Sequence, residues 1–226
     1  EEVYGAIGKV DQRLVTTGAV ASSEAKKITV DVTAIADVFG IDVVEGVDAV
    51  SSILLNGLAP DATAATDILI QGMQNGANAS GDLFDSIDEY SLHFDAFGLD
   101  AADMMGIYTE GMQNGARDTD KLGDAVKELR IRAVDGSTAT AEAYKAAGLS
   151  AGEMTAKILA GGGAARDAYG QIVAGLKSIK DPQEREIAAI KLFGTQFEDL
   201  GPKALDALGA IGAGFESAEG ATKDLV

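Results

Sequence analysis

The sequence contains no cysteine and no tryptophan, and aromatic residues make up only 5% of its 226 positions. Without cysteine, disulfides and thiolate metal sites are excluded, and pairing says nothing about the redox compartment. No run of about 18 apolar residues exists, so nothing resembles a membrane span, and nothing resembles a signal peptide. Cations are missing over a long stretch. Between Ile28 and Ala116 there is no Lys or Arg, against fifteen Asp and Glu. With a formal net charge of -18, the chain lacks the basic face that binding to nucleic-acid backbone or anionic lipid requires. Its start at Glu1 and stop at Val226, without terminal signals, read as a fragment of something longer.

What the chain does have is small residues. Hydrophobic content is 46%, which argues against wholesale disorder, but much of it is Ala, and 28 glycines are interspersed. Such a core buries little area per side chain. At roughly 25 cal/mol per Å² the hydrophobic term is expected to be thin and the protein marginally stable.

The most informative stretch is Asp181 to Pro202, DPQEREIAAIKLFGTQFEDLGP. Asp181 suits an N-cap, Pro182 suits the first helical position, and Glu184 is placed to reach back to the cap. Ile187, Ile190 and Phe193 recur at helical spacing, and Gly194 supplies a left-handed stop. Thr195 caps again with Glu198 three residues on, and Gly201-Pro202 closes the turn. Related boxes lie upstream: Gly40 with Asp42 and Glu45, Gly98 with Asp100 and Asp103, Gly148 with Ser150 and Glu153. The four glycines Gly40, Gly98, Gly148 and Gly194 are spaced 58, 50 and 46 residues apart. The word GMQNGA occurs at 72–77 and again at 111–116, 39 residues later. Recurrence of this kind points to degenerate helical repeats stacked on one another, each unable to bury its face alone.

Between the boxes the apolar spacing is helical. Val3, Ile7, Val10 and Leu14 form a first stripe that breaks at Thr16-Thr17-Gly18. Ala25, Ile28, Val32, Ile35 and Phe39 form a second, with Ser22 or Ser23 as cap, although its β-branched run ITVDVTAI would also suit a strand. Ser80 is the expected cap of the segment holding Leu83, Phe84, Ile87 and Tyr90, and Gly161-Gly162-Gly163 is expected to break a helix. The final GAGFESAEGATKDLV is Gly-rich and expected to fray. The fold class is therefore all-α, a multi-helix, solenoid-like array of short helices in degenerate repeats. A helical lead-in covers 1–40, and a repeat core covers 41–201 with units at about 41–98, 99–148 and 149–201. A short helix and Gly-rich tail follow over 202–226.

Candidate chemistry is sparse. His93 is the single histidine, and a general base needs a nucleophile and an orienting partner, whereas its neighbours are core-type helix residues. Asp82, Asp85 and Glu89 share a helix face and could offer oxygens to a hard cation, but no calcium-type loop accompanies them. Acids near a helix start are already favoured by the dipole. The glycine triplet lacks the preceding strand and Lys-Ser/Thr continuation of a phosphate loop. The basic run Lys127–Arg132 is too short for nucleic-acid recognition. No catalytic, metal or cofactor-binding residue emerges, and no cofactor or enzyme activity is expected. The residues singled out above are structural caps and turns.

Three runs carry a family resemblance: ILIQGMQNGANASGDLFDSIDEYSLHFDAFGL, MMGIYTEGMQNGARDTDKLGDAVKELRIR and IKDPQEREIAAIKLFGTQFEDLGP. Together they resemble the core region of tail tape measure proteins of long-tailed bacteriophages and prophages of actinobacteria and related Gram-positive hosts. The opening VYGAIGKVDQRLVTTGAV and the FGID box fit the same family's helical lead-in, so the resemblance covers nearly the whole chain. It implies a structural virion protein that fills the tail tube, sets tail length and leaves ahead of DNA at ejection. It also implies tail tube, tail-tip and tail assembly chaperone partners, several parallel copies in the tail, and residence in the host cytoplasm during assembly. Neither the hydrolase constellation nor the membrane-inserting segments of some members are present in the sequence. The competing reading is a helical interaction module that binds a tail, chaperone or host-surface protein through one face.

Overall fold

The computed structural model describes residues 2–18, 20–201, 203–212 and 220–224. Among them are twelve α-helices and no strand. They are α1 (Glu2–Val10), α2 (Ser22–Phe39), α3 (Val43–Leu55), α4 (Ala62–Gln74), α5 (Leu83–Ala96) and α6 (Ala101–Gln113). The chain continues with α7 (Thr119–Arg132), α8 (Thr138–Ala146), α9 (Ala151–Ala160), α10 (Gly162–Ser178), α11 (Pro182–Phe193) and α12 (Ala204–Leu208). A π-helical turn, Asp11–Val15, extends α1, and 3₁₀ turns occupy Thr195–Leu200 and Ala221–Asp224.

Five helices end by one device. The amide following a positive-φ glycine bonds back five residues: Leu58 to Ile53, Ala77 to Gly72, Leu99 to Phe94, Ala116 to Gly111 and Leu149 to Tyr144, at 2.8 to 3.1 Å. This is the Schellman closure, which satisfies carbonyls the helix would otherwise leave open. The apolar residue that makes the bond is buried or half-buried each time, so the turn is tied to the core. Both copies of GMQNGA are such ends. The first glycine of the word also allows close helix contact: a Cβ on Gly72 would lie 2.7 Å from Met105 Sδ, and one on Gly111 would lie 2.4 Å from Leu122 Cδ1. Gln113 Nε2 donates to the Asn75 carbonyl at 3.0 Å and joins the two copies.

Every second helix is a neighbour at first. Helix α1 packs on α3, α3 on α5 and α5 on α7, while α2 packs on α4 and α4 on α6. The order then changes: α11 lies against both α7 and α8, α9 against α10, and α12 against α6. One hydrophobic cluster runs from Val10 to Leu208. The scarce aromatics concentrate in it, with Tyr108, Tyr144, Tyr169, Phe94, Phe97 and Phe193 fully buried. Phe94 meets Tyr108 edge-on at 5.7 Å and Phe97 meets Tyr169 at 5.2 Å. The buried hydroxyls of Tyr144 and Tyr169 donate to the Ala133 and Leu208 carbonyls at 3.1 and 2.8 Å, so these rings bring no orphaned polar atom inside.

The helix expected over Ala25–Phe39 is present, and several other local expectations change. The run ITVDVTAI is helical, because Ile28, Val32 and Ile35 share one fully buried face, a spacing a strand cannot produce. Its N-cap is Ala21, with the Glu24 carboxylate accepting the Ala21 amide at 3.2 Å; Ser22 is already inside the helix. On α11 the buried face is Ala188, Ala189, Leu192 and Phe193, and Ile187 is 49% exposed. Contact with two helices, α7 and α8, turns the inward arc through the paired alanines. The end of the chain, where described, is docked: the 3₁₀ turn Ala221–Asp224 packs on α4 and Thr222 is buried. The rest of the expected fraying segment, 213–219 and 225–226, and the expected turn residue Pro202 lie outside the described residues.

Candidate functional site

The box residues sit at helix starts and stops. Asp42 accepts the Val44 and Glu45 amides at 2.7 and 3.2 Å, and the Glu45 side chain itself is exposed. Asp100 accepts the Asp103 amide at 2.9 Å while the Asp103 carboxylate accepts the Asp100 amide at 3.0 Å, a reciprocal capping box. Ser150 accepts the Glu153 amide at 3.4 Å, and Glu153 pairs with Lys157 at 2.7 Å. Asp181 accepts the Glu184 amide at 2.8 Å, with Pro182 first in α11. Gly40, Gly98 and Gly148 have φ of 69, 64 and 73°.

Gly194 and Thr195 depart from the expected pattern. Gly194 has φ 78° and ψ 179°, an extended conformation open essentially to glycine alone, in place of a left-handed helical stop. Thr195 does not cap. A 3₁₀ turn begins directly after Gly194, so glycine holds the cap position, the Thr195 hydroxyl reaches only Gln196 Oε1 at 3.4 Å, and Glu198 is exposed.

Ser80 likewise does not cap α5. Asn78 Oδ1 accepts the Leu83 amide at 3.1 Å, and the Ser80 hydroxyl donates to the Asp82 carboxylate. That carboxylate turns to another helix: its oxygens accept the Thr119 and Asp120 amides of α7 at 3.4 and 2.9 Å. Asp118, the local N-cap, takes the Lys121 amide at 2.9 Å. Two carboxylates from different helices thus satisfy one helix start. Burial pushes the Asp82 carboxyl up, but the hydrogen bonds from Ser80, Asp120 and Thr119 outweigh it and hold the group below its ordinary range.

The acids of α5, Asp82, Asp85, Asp88 and Glu89, line one shallow depression with Asp120, and three of them have partners on other elements. Asp82 faces α7, Asp88 pairs with Arg13 at 3.1 Å, and Glu89 lies 3.7 Å from Lys127. Among the described residues no group of three His, Cys, Asp or Glu is disposed to hold a metal ion. The His93 ring faces a cation, with Arg130 Nη1 3.1 Å from Nδ1. Burial, then the charges of Arg130 and Lys127, lower its affinity for a proton.

The sequence reading missed three polar junctions. Arg13, on the π-helical turn, reaches Asp48 at 2.8 Å, Ser52 at 3.0 Å and Asp88 at 3.1 Å, tying α3 to α5. Asp103, fully buried, takes both Arg166 nitrogens and the Gly212 amide, the last at 2.7 Å. Asp67, only 2% exposed, takes the Gly220 and Thr222 amides at 2.7 Å each and the Thr222 hydroxyl. A signal for Asp67 was present in the sequence, where a charge interrupts the apolar face of TDILI. No comparable signal named its partners.

A surface cleft of about 540 Å³ lies beside the 181–201 stretch, between Lys177, Pro182, Arg185, Phe197, Lys203 and Asp206. Phe197 stacks on Phe193 at 6.0 Å, and Lys177 pairs with Asp206 at 2.5 Å. The cleft walls offer ion pairs and hydrogen bonds in both signs of charge.

The chain thus joins the class of all-helical proteins whose buried polar groups link one helix to the next. It belongs to the phage-related minor tail protein family, whose sequence profile matches residues 4–194. It is 47% identical over 195 residues to the "Probable tape measure protein" of Streptomyces phage phiC31, an alignment covering 85% of this chain and 26% of that protein. The chain therefore spans about a quarter of that relative's length. No solved structure matches it.

Proposed function

We propose that this region is a folded helical block within a tape measure protein, and that the whole protein occupies the phage tail tube, sets tail length in assembly and leaves ahead of DNA at ejection. The observation that carries the reading is the 47% identity over 195 residues to the phiC31 protein. The geometry narrows the role. A helical ruler measures about 1.5 Å per residue, yet the longest helix among the described residues, α2, has 18 residues. Schellman turns end five helices, so the block is not the ruler; the ruler belongs to the remainder of the protein. The helices form degenerate solenoid-like repeats with units at 41–98, 99–148 and 149–201 behind the lead-in 1–40. Tube, tail-tip and chaperone proteins are its partners, the last in the host cytoplasm during assembly, and several copies lie side by side in the tail. The block opens as the protein passes along the tube.

In-frame deletions in the full-length phage gene, with tails measured by electron microscopy, test this. Tails formed after a deletion within 41–201 keep their length, whereas an equal deletion in a long helical part of the same protein shortens them by about 1.5 Å per residue. Proportional shortening from the first deletion would overturn the assignment. The cleft at Phe197 favours a second reading, a docking surface for a tail-tip protein. It predicts a complex by size measurement that Phe197→Asp abolishes.

A further inference from the structure

The last described residues run back across helices far earlier in the chain. Lys203 Nζ donates to Asn114 Oδ1 at the end of α6, at 2.7 Å. Helix α12 then lies against α6 and α10, burying Ala204, Leu205, Ala207 and Leu208, and Tyr169 of α10 donates to the Leu208 carbonyl. The Gly212 amide reaches Asp103 at the start of α6, and Gly220 and Thr222 reach Asp67 on α4. This path follows α6 from its last turn to its first and ends on α4.

Two of the anchors are buried carboxylates, and they differ. Asp103 keeps the Arg166 guanidinium when Gly212 leaves. Every hydrogen bond to the Asp67 carboxylate among the described residues comes from Gly220 and Thr222. Their departure leaves a desolvated charge on α4, which is costly unless water replaces them.

We infer that residues 203–212 and 220–224 form a strap that holds α4 and α6 shut, with Asp67 as its latch, and that the strap releases before the helices beneath it open. The use of this release rests on the proposed opening of the block during passage. The strap itself contains a five-residue helix and a four-residue 3₁₀ turn, short elements that open more readily than α5 or α7. Tension entering from the C-terminal side loads the Asp67 bonds first, because they lie furthest along the described chain.

Hydrogen exchange read by mass spectrometry on the 226-residue chain tests the inference in wild type, Asp67→Asn and Thr222→Val. In the wild type, 203–212 and 220–224 exchange through an opening that leaves α5 and α7 protected. Asp67→Asn speeds exchange in 220–224 and α4 about tenfold, with α5 and α7 unchanged. Thr222→Val removes one hydroxyl and gives about a threefold rise in the same two segments, which keeps the test decisive if Asp67→Asn does not fold. Exchange of strap and α5 in one common opening overturns the inference, as does an equal rise in every helix or no change in the variants. This readout does not involve tails, so a contrary tail-length result would sink the block assignment alone.

Discussion

Asp82, at the head of α5, accepts the backbone amide of Asp120 on α7 at 2.9 Å. The bond crosses between neighbouring helices, and it does for α7 what a local cap does for an isolated helix. A single carboxylate therefore links secondary structure to tertiary packing: α7 is fully capped only when α5 lies beside it. Asp82→Ala is expected to cost about 1–3 kcal/mol in urea unfolding, and Asp118→Ala about 1 kcal/mol. Because both serve one helix end, the double variant should depart from additivity by at least about 0.5 kcal/mol. Strict additivity would mean the two carboxylates act independently.

Gly98 sits where the turn after α5 meets the start of α10. Its φ is 64°, and a Cβ there would lie 2.2 Å from the Gly162 carbonyl oxygen, which is backbone and cannot rotate away. Gly98→Ala should lower stability by about 3 kcal/mol or more, combining left-handed strain with a forced shift of α10. Gly76→Ala is the control. Its φ is 86° with nothing within 4 Å of the added carbon, so only the backbone term of about 1–2 kcal/mol applies. Equal losses at both sites would show that the approach of the Gly98 turn to α10 carries no energy.

The sequence made the helices and their ends legible because both are local. Apolar spacing marks a helix, and a glycine followed by a carboxylate or serine marks a stop and start, as at Gly40-Asp42 and Gly98-Asp100. Side-chain destinations were not legible where they depend on which helices become neighbours. Ser80 has the right chemistry for a cap, but Asn78 takes the amide, and Asp82 is drawn to α7. Asp103 read as the third residue of a capping box and is also the buried partner of Arg166, 63 residues away. The Gly-rich composition of the tail suggested fraying. Its anchor, Asp67, lies more than 150 residues upstream, beyond the reach of any local pattern.

The register of α11 gives a direct test of packing. Ile187 and Phe193 lie on the same predicted stripe, yet one is 49% exposed and the other is fully buried. Phe193→Ala should cost about 3–5 kcal/mol, while Ile187→Ser should change stability by no more than about 0.5 kcal/mol. Chemical denaturation midpoints at constant m-value decide it. A loss above about 2 kcal/mol at Ile187 would place the helix in the register its apolar spacing suggested.

The pH dependence follows from four depressed carboxyls, Asp67, Asp82, Asp135 and, through its hydrogen bond from Lys191, Glu142, and from one depressed imidazole. At Asp67 burial raises the pKa, but the Thr222 hydroxyl and the Gly220 and Thr222 amides outweigh it; Asp82 behaves in the same way. At Asp135 the Ser137 amide dominates. A group lowered by folding binds fewer protons in the folded than in the unfolded state, so its contribution is complete above the unfolded value and lost as pH falls through the folded one. For these carboxyls the loss begins below about pH 4 and continues in stronger acid. For His93, lowered first by burial and then by Arg130, it begins near pH 6.5 and should give a separate, earlier decline. Burial raises Asp103, so its contribution has the opposite sign and partly offsets the acid loss. Urea midpoints measured from pH 8 to 2.5 should therefore fall in two stages. His93→Gln removes the first stage and Asp67→Asn flattens the second. A first stage that persists in His93→Gln would show that another group titrates between pH 5 and 7.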